Sequence, residues 1–253
     1  MCMDPDLVSE TLDALSDGDT ARKRSKHVKP LKGLRGTPNR GITQVLVSVW
    51  DQDAPTLPED ADALHHLFCS AHEDGLVAIG LAAARVPDTP DEVLDLVERW
   101  LRMIDDHETA DALGWLMWGP ALLAAGEPAA RILAEQAADP RPAVRRAALM
   151  GAMSMLPIPV EGQPAGALRS RLNSKVVQMV EAPVSDALAT VANSYFRDKD
   201  PSVRKAHVRL LRAWGELEPD RVQTVLDEVS GGISKQLREP VEKAIKKGRR
   251  KGR

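Results

Sequence analysis

Aromatic side chains are scarce in this sequence of 253 residues, which contains two Phe, five Trp and one Tyr. A large antiparallel β protein normally uses more of them, because aromatic rings fit the half-buried surface of a pleated sheet. No apolar run reaches the length of about 20 residues that a membrane-spanning helix needs. These two shortages argue against a β protein and against an integral membrane protein.

Cysteine is also rare: Cys2 lies near the start of the chain and Cys69 lies inside an apolar stretch. A disulfide framework is not expected from two such cysteines, and a reducing cytoplasm fits them best. The opening MCMDPDLVSE has no basic region followed by an apolar segment, so no secretory signal is expected. The motifs typical of P-loop nucleotide hydrolases, Rossmann dehydrogenases, zinc metalloproteases and serine hydrolases are absent, which removes the usual support for those classes.

Charge is strongly segregated, although the net charge is only −3 and 43% of the residues are hydrophobic. Residues 1–20 carry six acids and no base, and residues 21–50 carry eight bases and no acid. Residues 51–111 carry sixteen acids against three bases, whereas residues 235–253 carry nine bases against two acids. Basic blocks of this kind are typical of nucleic-acid contact, and the alternative is a solvated tail that aids solubility.

The remaining pattern predicts helices almost throughout, about a dozen of them joined by short loops. Proline follows a capping or acidic residue at three predicted helix starts, which are Thr37-Pro38, Thr89-Pro90 and Glu218-Pro219. Apolar residues then recur at spacings of three and four, which predicts one buried helix face. This predicted face comprises Leu94, Val97, Leu101 and Ile104.

An internal repeat is visible in residues 139–147 and 198–206, which read DPRPAVRRA and DKDPSVRKA. In both copies an acid lies five residues before Val and a proline lies two residues before it. The acid is predicted to cap a helix that begins near the proline, with Val in the core. The copies lie 59 residues apart, more than one HEAT unit of about 40–47 residues, so the array is irregular. The expected fold class is all-α, a HEAT-like α-α superhelix (α-solenoid) with a concave groove.

The order of several segments resembles the DNA alkylation repair (AlkD-like) family. Residues 32–40, KGLRGTPNR, look like an early family segment, and residues 74–81 resemble its next buried helix. Residues 105–113, DDHETADAL, resemble its central helix, and residues 239–245, EPVEKAI, resemble its last. The two Val-Arg copies fall where the family has its later repeats. The resemblance covers about residues 25–248.

This resemblance implies binding of duplex DNA in the concave groove and excision of positively charged 3- or 7-alkylated purines, without a metal or organic cofactor. A carboxylate stabilises positive charge on the sugar as the glycosidic bond breaks, and aromatic rings contact the sugar. The family's carboxylate falls on Asp111 and one of its arginines falls on Arg146. The two positions of its active-site tryptophans hold His107 and Arg209. Both rings are therefore missing, which argues against base excision but not against DNA binding.

Asp111 is thus the candidate catalytic residue, and further residues are candidates for contact with DNA. These are Arg40, His107, Glu108, Trp115, Arg145, Arg146, Arg204, Lys205 and Arg209. The other basic residues between Arg22 and Arg40, with Lys175 and Arg212, are further candidates for a phosphate groove; alternatively, half of them pair with surface acids. Contact with six phosphates predicts a salt slope of about −5.

Two local patterns have alternative interpretations. Asp111, Trp115 and Trp118 fall at i, i+4 and i+7, which indicates either a displaced aromatic–carboxylate site or a helix that buries both rings and pairs Asp111. Glu108 could likewise form a carboxylate pair with Asp111 or face water. Separately, His65, Cys69 and His72 share the same spacing. Three such side chains on one helix face could begin a zinc site, but a small buried cysteine is the favoured interpretation.

The sequence therefore predicts a monomeric, cytoplasmic DNA-binding protein that resembles alkylpurine glycosylases. A non-catalytic scaffold for a protein or structured nucleic acid is the alternative. Residues 25–248 are expected to form a single HEAT-like domain, preceded by a separate segment 1–24, partly disordered, and followed by a basic tail 249–253.

Overall fold

The computed structural model describes residues 3–156, 184–229 and 233–251, and every regular element in these ranges is helical. Within them no helix is both long and apolar enough to span a membrane. Cys2 and Lys175 lie outside the described residues.

The helices of the described ranges are short and closely spaced along the chain. They are α1 Pro5–Ala14, α2 Gly18–Arg24, α3 Asn39–Asp53, α4 Ala61–Ser70, α5 His72–Ala83, α6 Pro90–Leu101, α7 His107–Ala112, α8 Gly119–Ala124, α9 Ala129–Glu135, α10 Pro142–Met153, α11 Val184–Tyr195, α12 Pro201–Leu217, α13 Pro219–Glu228 and α14 Lys235–Lys251. A π-helical segment, Leu113–Trp118, joins α7 to α8, and a 3-10 turn, Gln136–Ala138, follows α9.

These helices stack in two rows. In the first row, α3, α5, α7, α10, α12 and α14 each pack against the next, and in the second row α1, α4, α6, α8, α9, α11 and α13 do the same. Apolar residues from both rows form one continuous core. This is the predicted architecture, an all-α HEAT-like solenoid in which each helix pair buries its apolar face against its neighbours.

The predicted helix starts are confirmed in position. Pro90 and Pro219 are the first residues of α6 and α13, and α3 begins immediately after Pro38. Proline suits this place because the first helical N–H has no intrahelical acceptor. The predicted side-chain caps at Thr37 and Thr89 are wrong. The Thr37 hydroxyl donates to the carbonyl of Leu12, and the Thr89 hydroxyl donates to the carbonyl of Arg85.

The predicted buried face of α6 needs a correction. Val93, Leu96, Val97 and Trp100 are buried, whereas Leu94 is only half-buried. The observed buried face keeps the spacing of three and four, but it is rotated about the helix axis from the predicted face. In this orientation the Trp100 ring stacks on Phe68 of α4, with 4.5 Å between ring centroids.

The two copies of the repeat begin α10 and α12, and Val144 and Val203 are both in the core. In the second copy the cap is Asp200, which accepts hydrogen bonds from the backbone N–H groups of Ser202 (2.8 Å) and Val203 (3.2 Å). The acid five residues before Val is therefore not the cap. In the first copy that acid, Asp139, pairs with Arg141, and α10 has no side-chain cap.

Glycine permits very close packing where the π-helical segment meets α10. A Cβ atom on Gly114 would lie 2.0 Å from the carbonyl oxygen of Ala147, and one on Gly119 would lie 2.2 Å from that of Gly151. Contacts that short are not tolerated, so both positions require glycine. This packing fixes the helix that carries Asp111 against the helix that carries Arg146.

The first and last helices of the described ranges pack against their neighbours. Val8 and Leu12 of α1 are buried in the shared core, inside the segment that sequence analysis separates from the domain. At the other end, Arg249 of α14 donates hydrogen bonds to Asp220 on α13.

Candidate functional site

Asp111 and Arg146 form a bidentate ion pair between adjacent helices of the first row. Nε of Arg146 lies 2.6 Å from Oδ1 of Asp111, and Nη2 lies 2.8 Å from Oδ2. Only 8% of the Asp111 side chain and 9% of the Arg146 side chain are exposed. Arg146 also donates through Nη1 to the backbone carbonyl of Ser202, at 2.6 Å. This arginine therefore joins α7, α10 and α12, and it fixes the orientation of the carboxylate.

Arg209 of α12 covers the same carboxylate. Its Nη1 lies 3.4 Å from Oδ2 of Asp111, and its guanidinium carbon lies 4.8 Å from the centre of the Trp115 ring. Burial lowers the pKa of Arg209 from its ordinary value, and the charge of Asp111 opposes that shift. The side chain is still 38% exposed, so Arg209 contacts both the buried pair and the surface.

The exposed side of Arg209 lines a groove between α12 and α14, which we call the basic groove. It encloses about 580 Å³. Its lining residues are Pro201, Arg204, Lys205, Val208, Arg209, Arg212, Gln236 and Leu237. Lys205 and Arg212 are exposed, whereas Arg204 donates hydrogen bonds to Ser234 (2.9 Å) and Gln236 (3.3 Å). A smaller recess of about 380 Å³ shares Arg212 and continues along α14 past Lys243 and Lys247.

Arg145 and Arg40 are among the predicted DNA contacts that do not line this groove. Arg145 pairs with Asp198, with Nε 2.6 Å from Oδ2, and it donates to the carbonyl of Asp139 at 2.8 Å. The structure thus uses Arg145 to connect α10 with the loop before α12. Arg40 is exposed on α3, at the opposite end of the first row.

The structure separates the possible carboxylate pair on α7. Glu108 accepts from His72, with 3.0 Å between Oε2 and Nε2, and Nε of Arg24 lies 3.6 Å from the same oxygen. Glu108 therefore belongs to a different cluster from Asp111. His107, the first residue of α7, is half-buried. Trp115 and Trp118 are each only 4% exposed, as in the interpretation of a helix that buries both rings and pairs Asp111.

His72 does not share a helix face with His65 and Cys69, because α4 ends at Ser70 and α5 begins at His72. His65 instead accepts from Nε1 of Trp100 at 3.2 Å, which gives this histidine a structural partner. Across the described ranges, no three His, Cys, Asp or Glu side chains form a group that could hold a metal ion. The predicted zinc spacing fails because the helix is interrupted.

Buried charges hold His72 in its protonated form. Its Nδ1 lies 3.4 Å from Oδ2 of Asp106, in addition to the contact with Glu108. Burial by itself would lower the pKa of His72, but the hydrogen bonds with Asp106 and Glu108 outweigh burial and raise the pKa to about 9. Burial likewise opposes the ionisation of Asp106, but the interaction with His72 dominates and lowers the pKa of Asp106 to about 2.

The start of α5 carries two further buried acids that sequence reasoning missed. Glu73 accepts from Nη1 of Arg24 at 2.7 Å and from the backbone N–H groups of Arg35 (2.9 Å) and Gly36 (3.0 Å). Asp74 pairs with the side chain of Arg35. Two of the arginines predicted to contact phosphate are thus committed to buried ion pairs. The signal in the sequence is the pair of acids that opens the apolar run HEDGLVAIG.

The predicted catalytic carboxylate therefore lies beneath a basic groove, paired with Arg146 and covered by Arg209. The sequence matches the family described as DNA alkylation repair enzyme over residues 8–247. No curated protein gives a significant sequence match to the chain. Because the family match spans most of its length, the chain belongs to the DNA alkylation repair enzyme family.

Proposed function

We propose that the protein is a duplex-DNA-binding member of this family whose basic groove contacts the phosphate backbone. One observation carries the proposal: four basic side chains, from Arg204, Lys205, Arg209 and Arg212, line the same groove. Lys205 and Arg212 are exposed in this groove, so their charges are accessible to phosphates. The family description agrees with DNA as the substrate or partner.

The charge balance around Asp111 favours binding over base excision. Asp111 carries one negative charge, and the guanidinium groups of Arg146 and Arg209 supply two positive charges within hydrogen-bond distance. The trio is therefore positive overall. Such a site attracts a phosphate, but it gives little stabilisation to the positive charge that develops on a sugar when a cationic purine leaves.

Excision of 3- or 7-alkylated purines is a second candidate function, and the orientation of Asp111 favours it. Arg146 holds both carboxylate oxygens, and Arg209 covers them where it reaches the groove. If Arg209 moved onto a DNA phosphate, Asp111 would lose one of its two cations. In that state Asp111 would be the carboxylate that stabilises the sugar.

Salt dependence of duplex binding tests the proposed groove. Each phosphate contact contributes about 0.9 to the slope of log affinity against log salt. Lys205→Ala combined with Arg212→Ala is therefore expected to make the slope about 2 less steep. The matched control combines Arg102→Ala with Arg131→Ala, which removes two exposed arginines paired with acids outside the groove. An unchanged slope in the groove variant would contradict the proposal.

Base release separates the two candidate functions. The protein is incubated with duplex DNA that contains 7-methylguanine or 3-methyladenine, and free base is measured for wild type, Asp111→Asn and Arg209→Ala. Salt-dependent binding without release is the expected result. Release that Asp111→Asn abolishes would establish excision instead. Absence of duplex binding at low salt would contradict both functions and point to the protein-binding scaffold.

A further inference from the structure

The segment between α2 and α3 exposes an apolar side chain at its tip. Leu31 is 93% exposed, and the next most exposed large hydrophobic side chain in the described residues, Leu7, is 61% exposed. A single exposed leucine is unremarkable on a mobile surface. Leu31 differs because the backbone on both sides of it is fixed.

Four contacts fix this tip. The N–H of Leu31 donates to Asp105, and the N–H of Gly33 donates to the carbonyl of Pro30 at 3.3 Å, which closes a turn. The N–H of His72 donates to the carbonyl of Gly33 at 3.1 Å. Lys32 donates to the carbonyl of Phe68 and lies 3.9 Å from the centre of its ring. The leucine therefore projects from an ordered loop, and little further backbone entropy is lost when it binds.

The surroundings of Leu31 are basic. Lys23, Lys26 and Lys29, which precede Leu31 in the sequence, are exposed. The loop therefore presents an apolar tip beside several cations. A DNA duplex offers the complementary arrangement, because negative phosphates border a stack of largely apolar bases.

The loop lies along the same edge of the first row as the candidate site, because the first turns of successive helices contact one another there. His72 at the start of α5 contacts Glu108 of α7, and Arg146 of α10 contacts both Asp111 of α7 and Ser202 of α12. Asp105, which accepts the N–H of Leu31, lies two residues before α7, and Asp111 is the fifth residue of that helix. The basic groove is lined by the first half of α12, which is also the N-terminal end of its helix. A duplex bound along this edge would pass both features.

We propose that Leu31 enters the minor groove of bound duplex DNA as an apolar wedge that partly unstacks one base step, while Lys26 and Lys29 contact the flanking phosphates. This inference rests on the proposed function. Leucine is among the side chains that wedge between base pairs, and the unstacking is offset by the contacts that a bent duplex makes with the protein. The basic groove at the same helix ends favours DNA over an anionic lipid surface.

A duplex with 2-aminopurine in place of adenine tests the wedge, because the fluorescence of this base rises when it unstacks. Wild-type protein is expected to raise the fluorescence. Leu31→Ala is expected to abolish most of that rise and to weaken binding about tenfold, since it removes the buried apolar contact. The salt slope is expected to stay unchanged, because leucine carries no charge.

Leu217→Ala is the matched control. This residue is 44% exposed, and it lies at the far end of α12 from the basic groove. Its substitution is expected to change neither fluorescence nor affinity. A rise in fluorescence lost only in Leu31→Ala supports the wedge.

Three results would overturn the inference, and they are distinguishable. If Leu31→Ala binds and unstacks DNA as wild type does, the wedge is refuted while the groove proposal stands. If wild type binds no duplex at low salt, the proposed function fails and the wedge fails with it. If Leu31 instead governs sedimentation with phosphatidylserine–phosphatidylcholine vesicles and leaves 2-aminopurine unchanged, the loop binds lipid.

Discussion

His72 is expected to make the stability of this protein fall as pH rises from 6 to 9. The histidine is fully buried between Asp106 and Glu108, and its pKa is raised from 6.5 in an unfolded chain to about 9. A raised pKa means that the folded state holds this proton more tightly than the unfolded state does. The resulting stabilisation is complete below pH 6.5 and disappears as pH rises through 9.

The size of this effect follows from the two pKa values of His72. At pH 6 the histidine is protonated in the folded protein and mostly protonated when unfolded, whereas at pH 9 it is half protonated only in the folded state. One pKa unit corresponds to about 1.4 kcal/mol, so the free energy of unfolding should drop by about 3 kcal/mol between these pH values. The low pKa of Asp106 reflects the same interaction and adds nothing further in this range.

Urea denaturation at intervals from pH 6 to pH 9, followed by circular dichroism, measures this change. The matched variant is His72→Gln, which retains a polar group but cannot be protonated. The difference in unfolding free energy between wild type and variant should shrink by about 3 kcal/mol over the range, and other titrating groups cancel in that difference. A difference that stays constant with pH would refute the assigned protonation of His72.

Two further predictions concern the core. Gly114→Ala is expected to destabilise the fold by about 3 kcal/mol, because the added Cβ would lie 2.0 Å from the carbonyl oxygen of Ala147. Gly18→Ala is the control, because a Cβ there would have no neighbour within 4 Å. Equal urea midpoints for the two variants would contradict this packing. Burial lowers the pKa of His207 to about 4, so at mildly acidic pH this histidine binds a proton only when the protein unfolds. The free energy of unfolding should therefore fall by about 3 kcal/mol as pH drops from 6.5 to 4. His207→Leu should remove that fall. If urea denaturation of the variant shows the same loss of stability between pH 6.5 and 4 as wild type, the lowered pKa of His207 is refuted.

Local signals in the sequence predict the helix starts well, and the two repeat copies show why one detail fails. Proline sets where α10 and α12 begin, because it fits the first helical position in both. The cap depends on the residue immediately before that proline. This residue is Asp200 in the second copy but Arg141 in the first, so an acid further upstream is too early to reach the helix N-terminus.

Long-range ion pairs explain what the sequence could not predict about the site. Arg24 and Glu73 are 49 residues apart, and the neighbouring Arg35 and Asp74 are 39 apart. No spacing rule connects such residues, because the stacking of the rows brings them together. The acidic middle of the chain is partly explained by these pairs: some of its acids neutralise the basic segment that precedes them. Asp111 and Arg146 were expected to share a site only through the family resemblance.

The scarcity of aromatic residues has a chemical consequence at Arg209, where the family resemblance predicts a ring. An aromatic ring at this position would contact a nucleotide sugar without adding charge, whereas the guanidinium places a cation 3.4 Å from Asp111 and rests on Trp115. Because Arg146 already neutralises the carboxylate, the second cation makes the site positive. A positive site repels a cationic alkylpurine and attracts a phosphate. For the proposed function, Arg209 in place of a ring therefore favours contact of this groove with the DNA backbone over contact with a cationic damaged base.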